Sequence, residues 1–217
     1  MNKILEINSL DFSYYTLSGE TKAIENVSFD VYENEFLGII GPSGSGKSTI
    51  LSLIFGLLTP TSGQIKMAER SHKADETPIG YMLQKDHLFE WRSIYRNITL
   101  GLEIHHQLTD EKKEFIDRML REYDLENFRN SRPSQLSGGM RQRAALIRTL
   151  ALKPEMLLLD EPFSALDSQT RLSVSEDIYK ILRREHKSAI LVTHDISEAI
   201  SFCDRVLVLT KRPGTVK

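Results

Sequence analysis

One cysteine, Cys203, is the whole thiol content of the 217 residues. It cannot close an internal disulfide, which fits a reducing, cytosolic setting. Long apolar runs are missing as well: none approaches the roughly 20 residues a membrane span needs. The opening MNKILEINSL has neither a basic stretch nor a cleavable apolar one, so no secretory leader is expected. The chain is expected in the cytosol unless a partner takes it to a membrane. An excess of one charge is also lacking, since 28 Lys and Arg face 30 Asp and Glu for a formal charge of −2. That balance offers no broad basic surface, and no nucleic-acid partner is expected. Internal repeats and low-complexity tracts are absent. What is present, 40% apolar and 27% charged residues over a length able to bury a real core, is ordinary for a globular domain.

Residues 3 to 35 alternate apolar and polar positions around the turn material LSGETK, so they read as extended segments. FLGII is a short continuous apolar run, the pattern of a strand buried on both faces of a parallel sheet. After it TILSLIFGLL has helical spacing, with Pro60 and the following SG read as its end. GQIKM and IGYML read as two more strands. From about 86 to 153 the spacing is helical: Phe115, Ile116, Met119, Leu120 and Tyr123 make one stripe, and Ala144, Ile147, Leu150 and Ala151 another. Strand-like runs return as MLLLD, AILVTH and RVLVL, with helices around 168 to 185 and 195 to 202 between them. KRPGTVK reads as a short polar tail. The expectation is one α/β domain over 1–217, with a core from 1–85 and 154–217 and a helical lobe, 86–153, inserted in it.

Between the buried strand and the helix lies Gly41-Pro42-Ser43-Gly44-Ser45-Gly46-Lys47-Ser48, which satisfies G-x-x-x-x-G-K-[ST] in the context that pattern requires. Glycines let successive backbone N–H groups turn inward, and the helix adds the positive end of its dipole; together they make a nest for phosphate oxygens. In that nest Lys47 would bridge the β- and γ-phosphates of a nucleotide, and the Ser48 hydroxyl would ligate Mg²⁺. Kinases, GTPases and motor ATPases all use such a loop. MLLLDEP narrows the choice, because a buried strand ending in two carboxylates exposes both at the sheet edge where ligands bind. Asp160 is placed to hold Mg²⁺ through water, and Glu161 to polarise an attacking water; the plainer reading is an acidic pair capping a helix. A second small-residue cluster, LSGGM at 136–140, precedes the helical stripe RQRAALIRTLAL and repeats the anion-seeking geometry about ninety residues on.

With that cluster in place the chain resembles, over nearly all its length, the ATP-binding subunit of an ATP-binding cassette (ABC) transporter. The resemblance implies an α/β fold of the P-loop NTPase (RecA-like) kind: a parallel sheet core, an N-terminal antiparallel β subdomain and an inserted helical subdomain. It implies ATP and Mg²⁺ as cofactors, with Gly41 to Thr49 as the Walker A loop and Leu157 to Glu161 as Walker B, Glu161 being its catalytic glutamate. Gln84 is similar to the Q-loop glutamine that touches Mg²⁺ and water. Ser137, Gly138 and Gly139 match the signature that caps the γ-phosphate bound on the opposite subunit. Ser164 to Asp167 resembles the D-loop, and His194 the switch histidine that contacts the γ-phosphate. Tyr14 sits where the family places an aromatic that stacks on adenine, and Tyr15 is the neighbouring candidate. The family most often has glutamine after LSGG; here it is Met140.

The resemblance implies further that the chain forms a homodimer on ATP binding and works on the cytoplasmic face of the cell membrane. There it would bind transmembrane permease subunits, with an extracytoplasmic solute-binding protein in the same system. FEWRSIYRNITLGLE and DRVLVLTKRPG resemble subunits of nitrate, sulfonate, taurine and vitamin-precursor importers. The alternatives are an exporter ATPase of the same fold and a soluble ABC ATPase working on DNA or ribosomes. Alone, His194 followed by D-I-S-E also reads as a strand meeting a capping box from Asp195 to Glu198. Phe89, Trp91 and Tyr95 stand open to two readings, lobe core or a docking surface for a membrane subunit's helix.

Overall fold

The computed structural model describes residues 2–17, 19–68 and 79–217. Strands β1 (Lys3–Thr16) and β2 (Gly19–Tyr32) pair antiparallel, and β4 (Ser62–Met67) joins the other side of β1. Alternation buries Ile4, Leu5, Ile7, Leu10 and Phe12 from β1 beneath this layer. The alternation is not regular: the register slips between Ile7 and Leu10 and again at Phe12, so β1 carries bulges that re-aim its later side chains.

A parallel sheet takes the strands in the order β6 (Met156–Asp160), β7 (Ser188–Val192), β3 (Phe36–Ile40), β8 (Arg205–Val208). β6 and β7 are buried at every residue, which is why they read as unbroken apolar runs. Between β3 and β4 lies α1 (Lys47–Phe55). It stops short of Pro60, contrary to the sequence reading, because Gly56 enters the left-handed region at φ 83°. There its N–H donates to Leu53 O, and that of Leu57 to Ser52 O, closing the helix before the proline is reached.

The chain divides into two compact units. The first gathers the described residues of 1–71 with 158–161 and 186–217; the second, those of 72–157 with 162–185. The second unit holds β5 (Ile79–Met82) and the helices α2 (Ile94–Ile104), α3 (Asp110–Glu122), α4 (Gly138–Leu150) and α5 (Ser168–Arg184). Ile116, Met119 and Leu120 of α3 are buried, as are Ala144, Ile147 and Leu150 of α4, the apolar stripes legible in sequence. Ser93 and Thr109 cap α2 and α3 by accepting the N–H groups of Arg96 and Lys112. Buried Asn97 accepts from Phe89 N–H and donates to the carbonyls of Phe89, Arg92 and Ser93, tying down the segment before α2. That segment is not core. Phe89 is 43% and Trp91 70% exposed, their rings 5.5 Å apart, while Tyr95 packs against the Arg129 guanidinium.

The last residues of the first unit are not a free polar tail. Gly214 N–H donates to Ala23 O and its carbonyl accepts from Glu25 N–H, while Thr210 N–H donates to Thr215 O. This strap follows β8 and lies against β2, and α6 (Ile196–Phe202) completes the unit. Among the described residues no helix is long and apolar enough to cross a membrane.

Candidate functional site

The parallel strands of the first unit present their C-terminal ends at one edge, where β3 gives way to the loop 41–46, β6 to Glu161 and β7 to His194. A cavity of about 500 Å³ opens there, where open α/β sheets bind ligands. Gly46, the residue before α1, has φ 93°, and a Cβ built on it would stand 2.5 Å from Ile24 Cγ2. Only glycine suits both that conformation and that contact. No side chain caps the first turn of α1, so its dipole end faces the cavity without a built-in partner.

Lys47 is buried, and its Nζ donates to Gly41 O at 2.9 Å and Pro42 O at 3.1 Å, a cation folded back on the loop's own carbonyls. Ser48 Oγ donates to Asp160 Oδ1 at 3.0 Å. This hydroxyl and carboxylate are the hard oxygen donors that Mg²⁺ prefers, and the residues present therefore fit the ion. Among the described residues no group of three or more His, Cys, Asp or Glu makes a protein-only metal cage.

Glu161 adopts φ 45°, and its N–H donates to Val192 O at 2.9 Å. On a straight strand neighbouring side chains point to opposite faces. The left-handed turn at Glu161 breaks that rule, so Asp160 bonds Ser48 while Glu161 lines the cavity. His194 joins it, with Nδ1 3.3 Å from Glu161 Oε2. Its capping neighbour is real as well, since Asp195 accepts the N–H groups of Ser197 and Glu198 at the start of α6. A cavity-lining histidine and a helix cap thus occupy adjacent residues.

On the far wall the Tyr14 hydroxyl shares a hydrogen bond with Thr49 Oγ1 at 3.1 Å, and its ring meets Phe12 edge-on at 4.9 Å. Tyr15 does not line the cavity; it is 70% exposed, with its hydroxyl donating to Glu20. Ser43, Gly44 and Gly46 line the cavity, whereas Gly41, Pro42, Ser45 and Asp160 belong to the surrounding loop and strand end without lining it.

Gln84, Ser137, Gly138, Gly139 and Asp167 lie in the second unit, and none of them lines this cavity. Gln84 Nε2 donates to Ser164 Oγ at 3.3 Å. Ser137 caps α4, accepting Met140 N–H at 3.3 Å. A Cβ on Gly139 would sit 2.7 Å from Val174 Cγ2, so close packing of α4 on α5 requires this signature glycine regardless of any ligand. Asp167 caps α5, and the backbone N–H of Thr170 holds its carboxyl below the usual carboxylate range. Two cavity residues escaped the sequence reading, Ala23 and Arg212. Ala23 carries no chemical signal. Arg212 carried one, since it follows a parallel strand at the ligand edge.

A loop between a buried parallel strand and a helix, with a lysine at its end and an acidic strand end opposite, defines a P-loop nucleoside triphosphatase. The family model described as "ABC transporter" matches residues 24–164. The chain belongs to the ABC transporter family as one of its ATP-binding, ATP-hydrolysing subunits. It is 45% identical over 98% of its length, and 82% of the relative's, to the uncharacterized ABC transporter ATP-binding protein YtlC of Bacillus subtilis. It is 38% identical to the nitrate import ATP-binding protein NrtD of Synechocystis (98% and 80% covered) and 35% to the taurine import ATP-binding protein TauB of Roseobacter denitrificans (98% and 80%). Among solved structures it resembles the dimeric post-hydrolysis state of the cassette MJ0796 bound to ADP and Pi, with TM-score 0.80, 30% identity, and 99% and 97% of the chains covered. It also resembles cbiO1 of Clostridium perfringens, part of the complex cbiONQ, with TM-score 0.84, 25% identity, and 100% and 88% covered.

Proposed function

We propose that this ATPase powers import of a solute across the cytoplasmic membrane by closing as an ATP-bound homodimer on transmembrane permease subunits. The observation that carries the reading is the convergence of Lys47, Ser48 and the Glu161–His194 pair on one cavity at the P-loop, with Asp160 bonded to Ser48 behind it. The nitrate- and taurine-import names of its relatives support import over export. Work at the cytoplasmic face, and a solute-binding protein on the other side, follow from the same reading.

Lys47 leaves its loop carbonyls to hold the β- and γ-phosphates, and Tyr14 offers its ring to adenine. Ser48 and Asp160 would hold Mg²⁺, with Gln84 as a further oxygen donor, and the bound ion would supply positive charge against the phosphate oxygens. Glu161 accepts a proton from the attacking water as general base, and His194 beside it contacts the γ-phosphate. The twin subunit supplies Ser137, Gly138 and Gly139 to the same γ-phosphate, with Asp167 in its D-loop. Such an interface is two-fold, each copy giving one helix tip and receiving another. Loss of the γ-phosphate removes that bridge and lets the dimer open. Phe89 and Trp91, adjacent and exposed, suit a permease helix, since aromatics are enriched among interface anchors.

Glu161→Gln should lower turnover by roughly 10²- to 10⁴-fold while ATP binding persists and a dimer accumulates, read by phosphate release and gel filtration. Normal turnover would remove Glu161 from its role. Mixing Ser137→Arg with Glu161→Gln subunits should yield sites of unequal competence, whereas a self-contained site would show each defect only in its own chain.

A further inference from the structure

The strap after β8 brings a second cation to the phosphate loop. Arg212 lines the cavity beside Ser43, Gly44 and Lys47, and its Nε donates to Gly44 O at 3.3 Å. Gly44 leaves room for this approach, since a Cβ there would meet an Arg212 Nη atom at 3.2 Å. The guanidinium does not drift into place. Gly214, two residues on, is pinned to Ala23 and Glu25, and Thr210 and Thr215 close the strap on themselves through a 3.0 Å hydroxyl pair. Among the described residues Arg212 makes no ion pair with a carboxylate, and the Gly44 carbonyl is its one hydrogen-bond partner. Arg205, at the other end of β8, differs: it is paired with Glu35 at 2.8 Å. The position lies outside residues 24–164, the part of the chain the family model matches.

An arginine has five N–H donors in a planar fork suited to phosphate oxygens. Here one is spent on Gly44 and the charge is uncompensated, at the mouth of a cavity whose floor is a phosphate nest. We propose that Arg212 is a nucleotide-binding residue, its guanidinium donating to the polyphosphate of the nucleotide. The inference rests on the reading that this cavity takes ATP.

Equilibrium titration with ATP at several salt concentrations tests it, using the full chain and R212A, R212Q and R212K. Glutamine can still donate to the Gly44 carbonyl but carries no charge; lysine keeps the charge without the fork. R212A and R212Q should each bind ATP about tenfold more weakly, R212K only about threefold, as a charge-assisted contact predicts. The two neutral variants should also show a flatter dependence of affinity on salt. Wild-type affinity in R212Q overturns the proposal. So does a weakening whose salt dependence is unchanged, or a variant that no longer folds, because either assigns Arg212 to holding the loop and not to the ligand. If the wild-type chain itself binds no ATP, it is the underlying reading of the cavity that fails; if it binds and R212A binds equally well, only the role of Arg212 does.

Discussion

Two helix tips in this chain look alike in sequence and differ in structure. Both α1 and α4 begin at a run of serine and glycine. At α1 the last residue before the helix is a left-handed glycine with no side chain to cap the first turn. At α4 it is Ser137, with extended backbone and a hydroxyl that already accepts Met140 N–H. The first tip is an open nest that can bind an anion alone. The second is partly satisfied from within, since its hydroxyl takes one of the first-turn N–H groups; what it can still give a phosphate is the N–H groups of Gly138 and Gly139 and the proton of that hydroxyl. The contrast supports the function proposed above, in which subunits bind nucleotide separately and assemble around it afterwards.

The sharpest way to break this contrast is to empty the first tip. Lys47→Ala should weaken ATP binding on the order of a hundredfold, since a buried, charge-assisted partner of two phosphates is lost; calorimetric titration reads it, and undiminished affinity would remove the distinction between the tips. A smaller effect is expected at the second. Ser137→Ala removes a helix cap and should cost about 1 kcal/mol of stability in urea unfolding. No similar loss is available at Gly46, which caps nothing with its side chain. The smallest effect belongs to a third tip, that of α5, where Asp167 is both cap and charge. Its folded pKa is depressed, first by the Thr170 backbone N–H. Its stabilisation is therefore present above the unfolded value, about 3.9, and is lost as pH falls through the lower folded value. Asp167→Asn keeps a capping oxygen but not the charge, and should flatten the acid limb of the stability curve; an unchanged limb would show the charge to be idle.

The P-loop was legible because the motif and its strand-before-helix setting are both local. So was the acidic strand end, although the left-handed Glu161 that brings both carboxylates to one place is a backbone fact no residue type announces. The choice between Tyr14 and Tyr15 was not legible, since register slips in β1 break the two-residue alternation that would have assigned faces. The end of α1 was misread because two stop signals compete there, and the glycine acts four residues before the proline. The strap at 209–216 was hidden for another reason: it is held by backbone bonds to β2, nearly two hundred residues away, and such pairing leaves no periodic trace. Exposure of Phe89 likewise depends on Asn97, whose amide fastens its backbone from the helix that follows.

The left-handed backbone at Glu161 bears on how evolution and experiment can alter this enzyme. A side chain held at that φ costs about 1 kcal/mol or more relative to glycine. The chain thus gives up folding free energy at a residue that lines the phosphate-loop cavity. Glutamine and aspartate would inherit the same burden, so rate differences among such variants report on the carboxylate and its reach. A glycine there would relax the chain and lose the proposed base, setting durability against turnover at a single codon.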